Sequence, residues 1–286
     1  MSSLPAAAMN AARAVSAAAS ESSAPPEGTV ERWAWNYITT DSLSGKCSPP
    51  PLPEIWEDAP PKRNVSPPGR PPELDVITRA KRTRGLEGAL GRARALHTFF
   101  HHELQAAELM AWAMLAFPDA PRAFRLGLLR IAEDEVRHMS FYASGIERLG
   151  FHVGQFPVRD WFWERLPLSE TPASFVATMG LGFESANLEH SIDFAARFRN
   201  AGDEESAALQ ELVGREEVAH VRFAAKWFKH FTGDLTFTAW KDSLAGDFSP
   251  LLMRGRTLAK ETRLRAGFPE AFIEELEAWR PDSPGS

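Results

Sequence analysis

The chain of 286 residues has a single cysteine, Cys47, no uninterrupted apolar run approaching 18 residues, and no excess of positive charge. Each absence removes a class of function. A lone cysteine forms neither an internal disulfide nor a thiolate cluster, so a four-thiolate iron site within the chain is excluded and a reducing cytoplasm is the expected compartment. Without a long apolar run, no membrane span is expected. A net charge of -6 argues against broad nucleic-acid affinity, although it leaves room for a local basic groove. What is present is a sizeable core in prospect: 44% hydrophobic residues against 24% charged point to one large domain with appendages.

Composition divides the chain into four stretches. Residues 1–28 are Ala- and Ser-rich, interrupted by Arg13, and read as a flexible or weakly helical tail that makes a poor secretory leader. Residues 29–73 read as a Pro-rich extended arm, because the prolines of "SPPPLPEIWEDAPPKRNVSPPGRPP" bar helix and central strand; Trp33, Trp35, Ile55 and Trp56 are expected to lay parts of it against the body. Residues 74–233 carry a helical period, with long segments expected at about 76–117, 122–149, 172–199 and 204–231, none with an interior proline. Residues 234–286 read as a helical extension, with helices at about 250–266 and 269–280 opened by Ser249-Pro250 and Pro269.

The linkers 118–121 and 200–203 are so short that the helices they join must be antiparallel neighbours. By contrast, "FHVGQFPVRDWFWERLPLSETP" is long enough to cross a bundle end to end. Two helical hairpins joined by one long crossover make an all-α, ferritin-like four-helix bundle.

An internal repeat runs through the hairpins. "EDEVRHMSFYA" (133–143) aligns with "REEVAHVRFAA" (215–225), matching Glu135 and His138 to Glu217 and His220. "HHELQAAEL" aligns with "GFESANLEH", matching Glu103 and Glu108 to Glu184 and Glu189. Glu and His three residues apart lie on one helical face, and the face of Glu135 and His138 also carries Ile131, Tyr142 and Ile146. Glu103 shares its face with Leu96, Phe99, Phe100, Ala107, Met110 and Met114, and Glu184 with Ala177, Leu181, Leu188 and Ala195. Without a cation or an equivalent partner, both carboxylates would be unpaired buried charges. Counting about 1.5 Å per residue outward from the turns brings all six groups to one level.

A single Glu-x-x-His on a helix is commonplace, whereas two in register, each preceded by a partner helix with an inward Glu, define a site. The metal ligands expected are Glu103, Glu135, His138, Glu184, Glu217 and His220, the donor set for two iron or two manganese ions, with carboxylates bridging and each imidazole capping one ion. Asp134 and Glu216 are placed to accept the free imidazole N–H of the opposite hairpin, with Arg137 neutralising them. Glu108 and Glu189, rotated about 140° off the ligand face, stand between an outer-shell or substrate-pocket role and ordinary salt bridges. His97, His101, His102, His152, His190 and His230 read as surface or hydrogen-bonded histidines.

These residues carry a resemblance. From roughly 70 to 233, and above all in "GRPPEL", "HHELQAAEL", "EDEVRH", "GDEESA" and "EEVAHVRFAAKWF", the chain resembles a bacterial ferritin-like family of unknown function, related in design to the tRNA-modifying di-iron hydroxylase of the ferritin superfamily. Asp134 to His138 also match the D-E-x-R-H signature of bacterial di-iron monooxygenases. The resemblance implies a non-haem di-iron centre on the same six positions. The second copy departs from it, with Glu216 for the acid and Ala219 where the arginine would stand.

The expectation is therefore an oxidoreductase holding two Fe ions, with Mn or mixed Mn/Fe as the alternative, that uses O2 on a small organic substrate and draws electrons from a reductase. A ferroxidase or a peroxide-detoxifying protein would use the same ligands, and a helical scaffold with a vestigial polar site is the non-enzymatic alternative. Met110, Met114, Phe99 and Phe183 are candidate pocket residues, weighed against plain core. Arg79, Lys81, Arg82, Arg84, Arg92 and Arg94 form the positive run that a tRNA partner would need, which a solvated charged face explains equally well. "VRDWFWERLP" reads as a hydrophobic clasp ahead of a lid or partner surface.

Overall fold

The computed structural model describes residues 24–78, 85–246 and 248–281, and among them the chain is all-α. Strand pairing is confined there to two isolated parallel bridges, Thr29 with Ile55 and Val76 with Val158. Residues 1–23 of the expected tail lie outside the described residues.

The arm is not extended from its start. Apolar residues at 30, 33, 34, 37 and 38 follow a helical spacing, and the Thr29 hydroxyl accepts the Arg32 backbone N–H at 3.1 Å to cap α1 (Val30–Thr39). A short α2 (Leu43–Cys47) follows. Val30, Trp33, Ala34, Tyr37 and Ile38 are buried, and α1 packs on the bundle. Beyond α2 the prolines keep the chain extended, pinned by Trp33 Nε1 on the Pro50 carbonyl (2.7 Å), Trp112 Nε1 on Asn64 (2.9 Å) and the Arg63 N–H on the Leu115 carbonyl (3.0 Å). Trp56 lies half-buried beneath the guanidinium groups of Arg122 and Arg125, whereas Ile55 is 67% exposed and holds nothing down.

Two antiparallel hairpins form the body. In the first, α3 (Ala89–Ala116) packs along α4 (Arg122–Arg148). Helix α3 starts well after the expected position near 76, because Val76 pairs with Val158 and Gly85 turns the chain at φ +74° just before the helix. In the second hairpin, α5 is one helix of three consecutive stretches: a first turn Pro172–Phe175, a π-helical stretch Val176–Glu184 and an α-helical stretch Ser185–Asn200. Its partner α6 (Glu204–Thr232) is capped by Asp203, which accepts the Ser206 N–H at 3.1 Å, and ends at Gly233 with φ +83°. Glycine sets the spacing of α6 against its neighbours: a Cβ on Gly127 would collide with the Phe223 ring, one on Gly180 with Ala224, and one on Gly214 with Ser191.

The extension forms α7 (Phe237–Asp242), a 3-10 turn (Pro250–Met253), α8 (Lys260–Arg265) and α9 (Glu270–Ala278). The continuous helix expected over 250–266 is broken because the backbone N–H groups of Gly255 and Ala259 donate to the Glu189 carboxylate, at 3.1 and 3.0 Å, instead of to helical carbonyls. Two apolar cores result. One gathers α1, the later part of α3, the earlier part of α4, the π-helical stretch and the extension. The other, around Leu96, Phe100, Leu104, Met139, Tyr142, Ile146 and Phe198, fills the opposite end. Among the described residues no helix is long and apolar enough to cross a membrane.

Candidate metal centre

Between the two cores lies a layer of buried carboxylates and imidazoles. Glu103 comes from α3, Glu135 and His138 from α4, Glu184 from the last π-helical position of α5, and Glu217 and His220 from α6; none is more than 5% exposed. The structure thus brings together all six residues that the repeat selected. One donor atom each from Glu103, Glu135, His138 and Glu217 lies within 4.8 Å of the others, and the same holds for Glu135, Glu184, Glu217 and His220. Glu135 and Glu217 belong to both groups.

The imidazoles are oriented by two sets of contacts. His138 Nδ1 lies 3.0 Å from Glu135 and 3.9 Å from Glu217, and His220 Nδ1 lies 3.1 Å from Glu135 and 3.2 Å from Glu217. Each Nε2 points away from the cluster to a carboxylate of the other hairpin, His138 to Glu216 at 2.8 Å and His220 to Asp134 at 3.2 Å. A proton held on Nε2 by these acids leaves the Nδ1 lone pair facing the cluster, the tautomer a metal ligand needs. Arg137 donates to both acids, at 2.8 Å to Asp134 and 2.9 Å to Glu216. One arginine serves both halves, so Ala219 costs the second half no counter-charge.

The electrostatics describe a site short of positive charge. Burial, then the charges of Glu135 and Glu217, push the Glu103 carboxyl well above the ordinary range; for Glu184 the order is burial, Glu217, Glu135. Burial acts in the same direction on Glu135, but His220 and His138 overcome it and hold that carboxylate well below the usual range. Burial would depress His138, yet Glu135, Glu217 and Glu216 push its pKa up to about 9; burial opposed by Glu135 and Glu217 leaves His220 raised as well. Glu184 Oε2 and Glu217 Oε1 are buried with no hydrogen-bond donor, and Glu135 Oε1 faces His220 Nδ1 at 3.1 Å. Buried polar atoms are seldom left unpaired, and carboxylate oxygens ringed by imidazole nitrogens accept a cation where they have no donor. The cluster could hold a metal ion.

Glu108 and Glu189 are turned off this face, as a five-residue step requires, and both anchor buried salt bridges, the role set beside a pocket role in the sequence. Glu108 meets Lys46 at 2.6 Å, Arg70 at 2.6 and 2.9 Å, and Trp163 Nε1 at 2.7 Å, tying arm and crossover to α3. Glu189 meets Arg263 at 2.8 and 2.7 Å, tying the extension to α5. Lys46, Arg70 and Arg263 were not expected from the sequence, since they lie outside the repeat. The remaining histidines are structural. His97 accepts the Gly154 N–H at 2.8 Å, His101 bonds Asp160 at 2.9 Å, and His102 packs on Phe162; His152 bonds the Val153 carbonyl, His190 is exposed, and His230 lies against Trp227.

Of the candidate pocket residues, Met110 lines a small cavity beside Glu184 and His220; Met114 is core, Phe99 packs on Phe194, and Phe183 packs on Trp161, Phe162 and Phe248. The crossover is held as a clasp, by these rings and by Asp160 on Arg70 at 2.9 Å. Of the basic run, Arg79, Lys81, Arg82 and Arg84 lie outside the described residues, while Arg92 pairs with Asp203 at 3.1 Å and Arg94 lies over the Phe156 ring. Burial raises the Cys47 thiol to about 11, away from thiolate chemistry.

The model of a family described as "Protein of unknown function (DUF455)" matches residues 26–274, and the chain belongs to that family. No curated protein and no solved structure matches the chain.

Proposed function

We propose that this member of the DUF455 family is a ferritin-like, non-haem di-iron oxidase or oxygenase that uses O2 to oxidise or hydroxylate a small organic substrate. The observation that supports this most is the donor set itself: four carboxylates and two imidazoles, with Glu184 Oε2 and Glu217 Oε1 buried without a donor and both Nε2 atoms engaged by carboxylates across the bundle. In this reading Glu103, Glu135, His138 and Glu217 would hold one ion and Glu135, Glu184, Glu217 and His220 the other, Glu135 and Glu217 being common to both groups. A bound iron pair would supply the electrons for dioxygen reduction.

The chain's own residues do the rest. Asp134 and Glu216 fix the imidazole tautomers, Arg137 balances their charge, and the two cores keep bulk water from the carboxylates. The cavity beside Glu184 and His220 is walled by Met110, Leu128, Ile131, Phe223 and Ala224 and is about 10 Å³, space for one water-sized molecule. An apolar cavity of that size favours a diatomic reactant, and an organic substrate would have to approach through movement of the surrounding side chains. It also favours a second reading, a peroxide-consuming dinuclear site on the same ligands, over a preformed pocket for a bulky substrate.

Elemental analysis of anaerobically purified protein beside a Glu135→Ala, Glu217→Ala double variant tests the proposal. About two irons per chain, lost in the variant, with oxygen uptake on reduction, is the expected result. Manganese in place of iron would redirect the reading to peroxide chemistry. Absence of stoichiometric metal after reconstitution would leave a helical scaffold as the account.

A further inference from the structure

Glu184 differs from the other ligands in its backbone. It closes a nine-residue π-helical stretch, whereas Glu103, Glu135, Glu217 and the two histidines sit in α-helices. Long π-helical stretches are rare and persist only when surrounding groups hold them. The register matters for the site, because a change of one residue turns a helical side chain by about 100°. That would carry the Glu184 carboxyl off the cluster.

The groups that hold this stretch come from the C-terminal extension. Trp240 Nε1 donates to the Ala177 carbonyl at 2.9 Å, and the Ala245 N–H donates to Thr178 Oγ1 at 2.8 Å. Met253 Sδ sits where Gly182 has no side chain; a Cβ there would lie 2.7 Å from it. Ser185, next to Glu184, bonds the Leu181 carbonyl at 2.6 Å with its hydroxyl, inside the π-helical turn. Arg263 reaches this serine from α8. Its guanidinium is fully buried and grips Glu189 with Nε and one terminal nitrogen, then donates to Ser185 Oγ at 3.3 Å and to the Ser185 carbonyl at 3.2 Å. A salt bridge alone would need Glu189 and nothing more. At the matching place in the repeat, the described hydrogen bonds of Lys46 and Arg70 go to Glu108, Asp160 and carbonyls of the arm, and not to the backbone of α3.

We propose that Arg263 is a positioning residue for Glu184: through Ser185 it holds the π-helical register that keeps this carboxylate in the cluster, with Trp240 holding the start of the same stretch. The ligand half of this inference rests on the metal reading above. One of the six donors is thereby set by a segment outside the four-helix bundle.

The test uses the full chain with Arg263→Lys and, separately, Trp240→Phe. Lysine keeps the charge opposite Glu189 but lacks the planar fork that reaches Ser185 at the same time. Phenylalanine keeps most of the Trp240 ring and loses its N–H. Two readouts are taken, hydrogen exchange of the amides of 176–186 in metal-free protein and Co(II) binding in competition with a chelator. We expect both variants to remain folded, to exchange faster in 176–186 but not in α3 or α4, and to bind one of two Co(II) ions about 10–100-fold more weakly than wild type. Unchanged exchange in 176–186 overturns the hold on the register. Faster exchange with both Co(II) ions bound as in wild type overturns the positioning of Glu184. Wild-type protein that takes up no Co(II), beside variants that exchange faster, overturns the metal reading and the ligand role of Glu184 with it.

Discussion

Between His138 and Glu216 the side chains show what one carboxylate does for a buried imidazole. His138 is fully buried, its Nδ1 faces Glu135 and Glu217, and its Nε2 proton goes to Glu216 at 2.8 Å. Removing that acceptor leaves the ring free to place its proton on either nitrogen, and a proton on Nδ1 blocks the lone pair. Glu216→Ala is therefore expected to weaken divalent-cation binding by about 10–100-fold, and Glu216→Gln by less, because an amide oxygen still accepts the Nε2 proton. Chelator competition on the two variants checks this; equal losses in both would mean that charge, and not tautomer, is what Glu216 supplies. The six clustered residues and these two acids were legible in the sequence because they recur in two copies, so each copy vouches for the other. Arg263, Lys46 and Arg70 have no second copy, and no periodicity links them to the bundle. Only the fold reveals that they meet Glu189 and Glu108.

The elements that depart from a simple bundle, arm and extension, each meet a buried carboxylate of the bundle, Glu108 for the arm and Glu189 for the extension. Glu108 is fully buried and faces two cations, Lys46 and Arg70, with burial lowering the Lys46 pKa against the pull of Glu108. Truncating one partner of a buried ion pair leaves charge without compensation, so Glu108→Ala is expected to cost about 3–5 kcal/mol in unfolding free energy. Glu277→Ala, which breaks an exposed pair with Lys260, is expected to cost under about 1 kcal/mol. Urea titration of both variants reads the difference, and similar losses would show that the arm is not clamped at Glu108. Element by element, α4 and α6 were read almost to the residue, since their apolar period is uninterrupted and their ends are marked by Pro121, Asp203 and Gly233. Helix α1 departs from the extended arm that composition implies, although its spacing and Thr29 cap are in the sequence, because the prolines that follow dominate the composition of the arm. The π-helical register and the broken 250–266 helix depend on hydrogen bonds from distant segments, and no local pattern encodes them.

At the scale of the molecule, a polar layer lies between two apolar cores, and the crossover must span both. The crossover is attached at the second core by a neutral imidazole: His97 is 1% exposed and accepts the Gly154 N–H through Nε2. Burial, followed by repulsion from His101 and His152, lowers its pKa from 6.5 to about 4. The unfolded chain thus binds a proton near pH 6.5 that the folded chain refuses until about 4, so this group's contribution is complete above pH 6.5 and is lost as pH falls through that window. Between pH 7.5 and pH 5 the loss amounts to about 2 kcal/mol. His97→Gln keeps an acceptor for Gly154 but cannot titrate. Its stability relative to wild type should therefore rise by about that amount on going from pH 7.5 to pH 5, when the two are unfolded in parallel by urea. The comparison cancels groups that shift the other way, His138 and His220 among them. A constant difference across the window would mean that protonated His97 is tolerated in the folded state, and that the hold on the crossover lies with its other contacts, Asp160 and Trp163 among them.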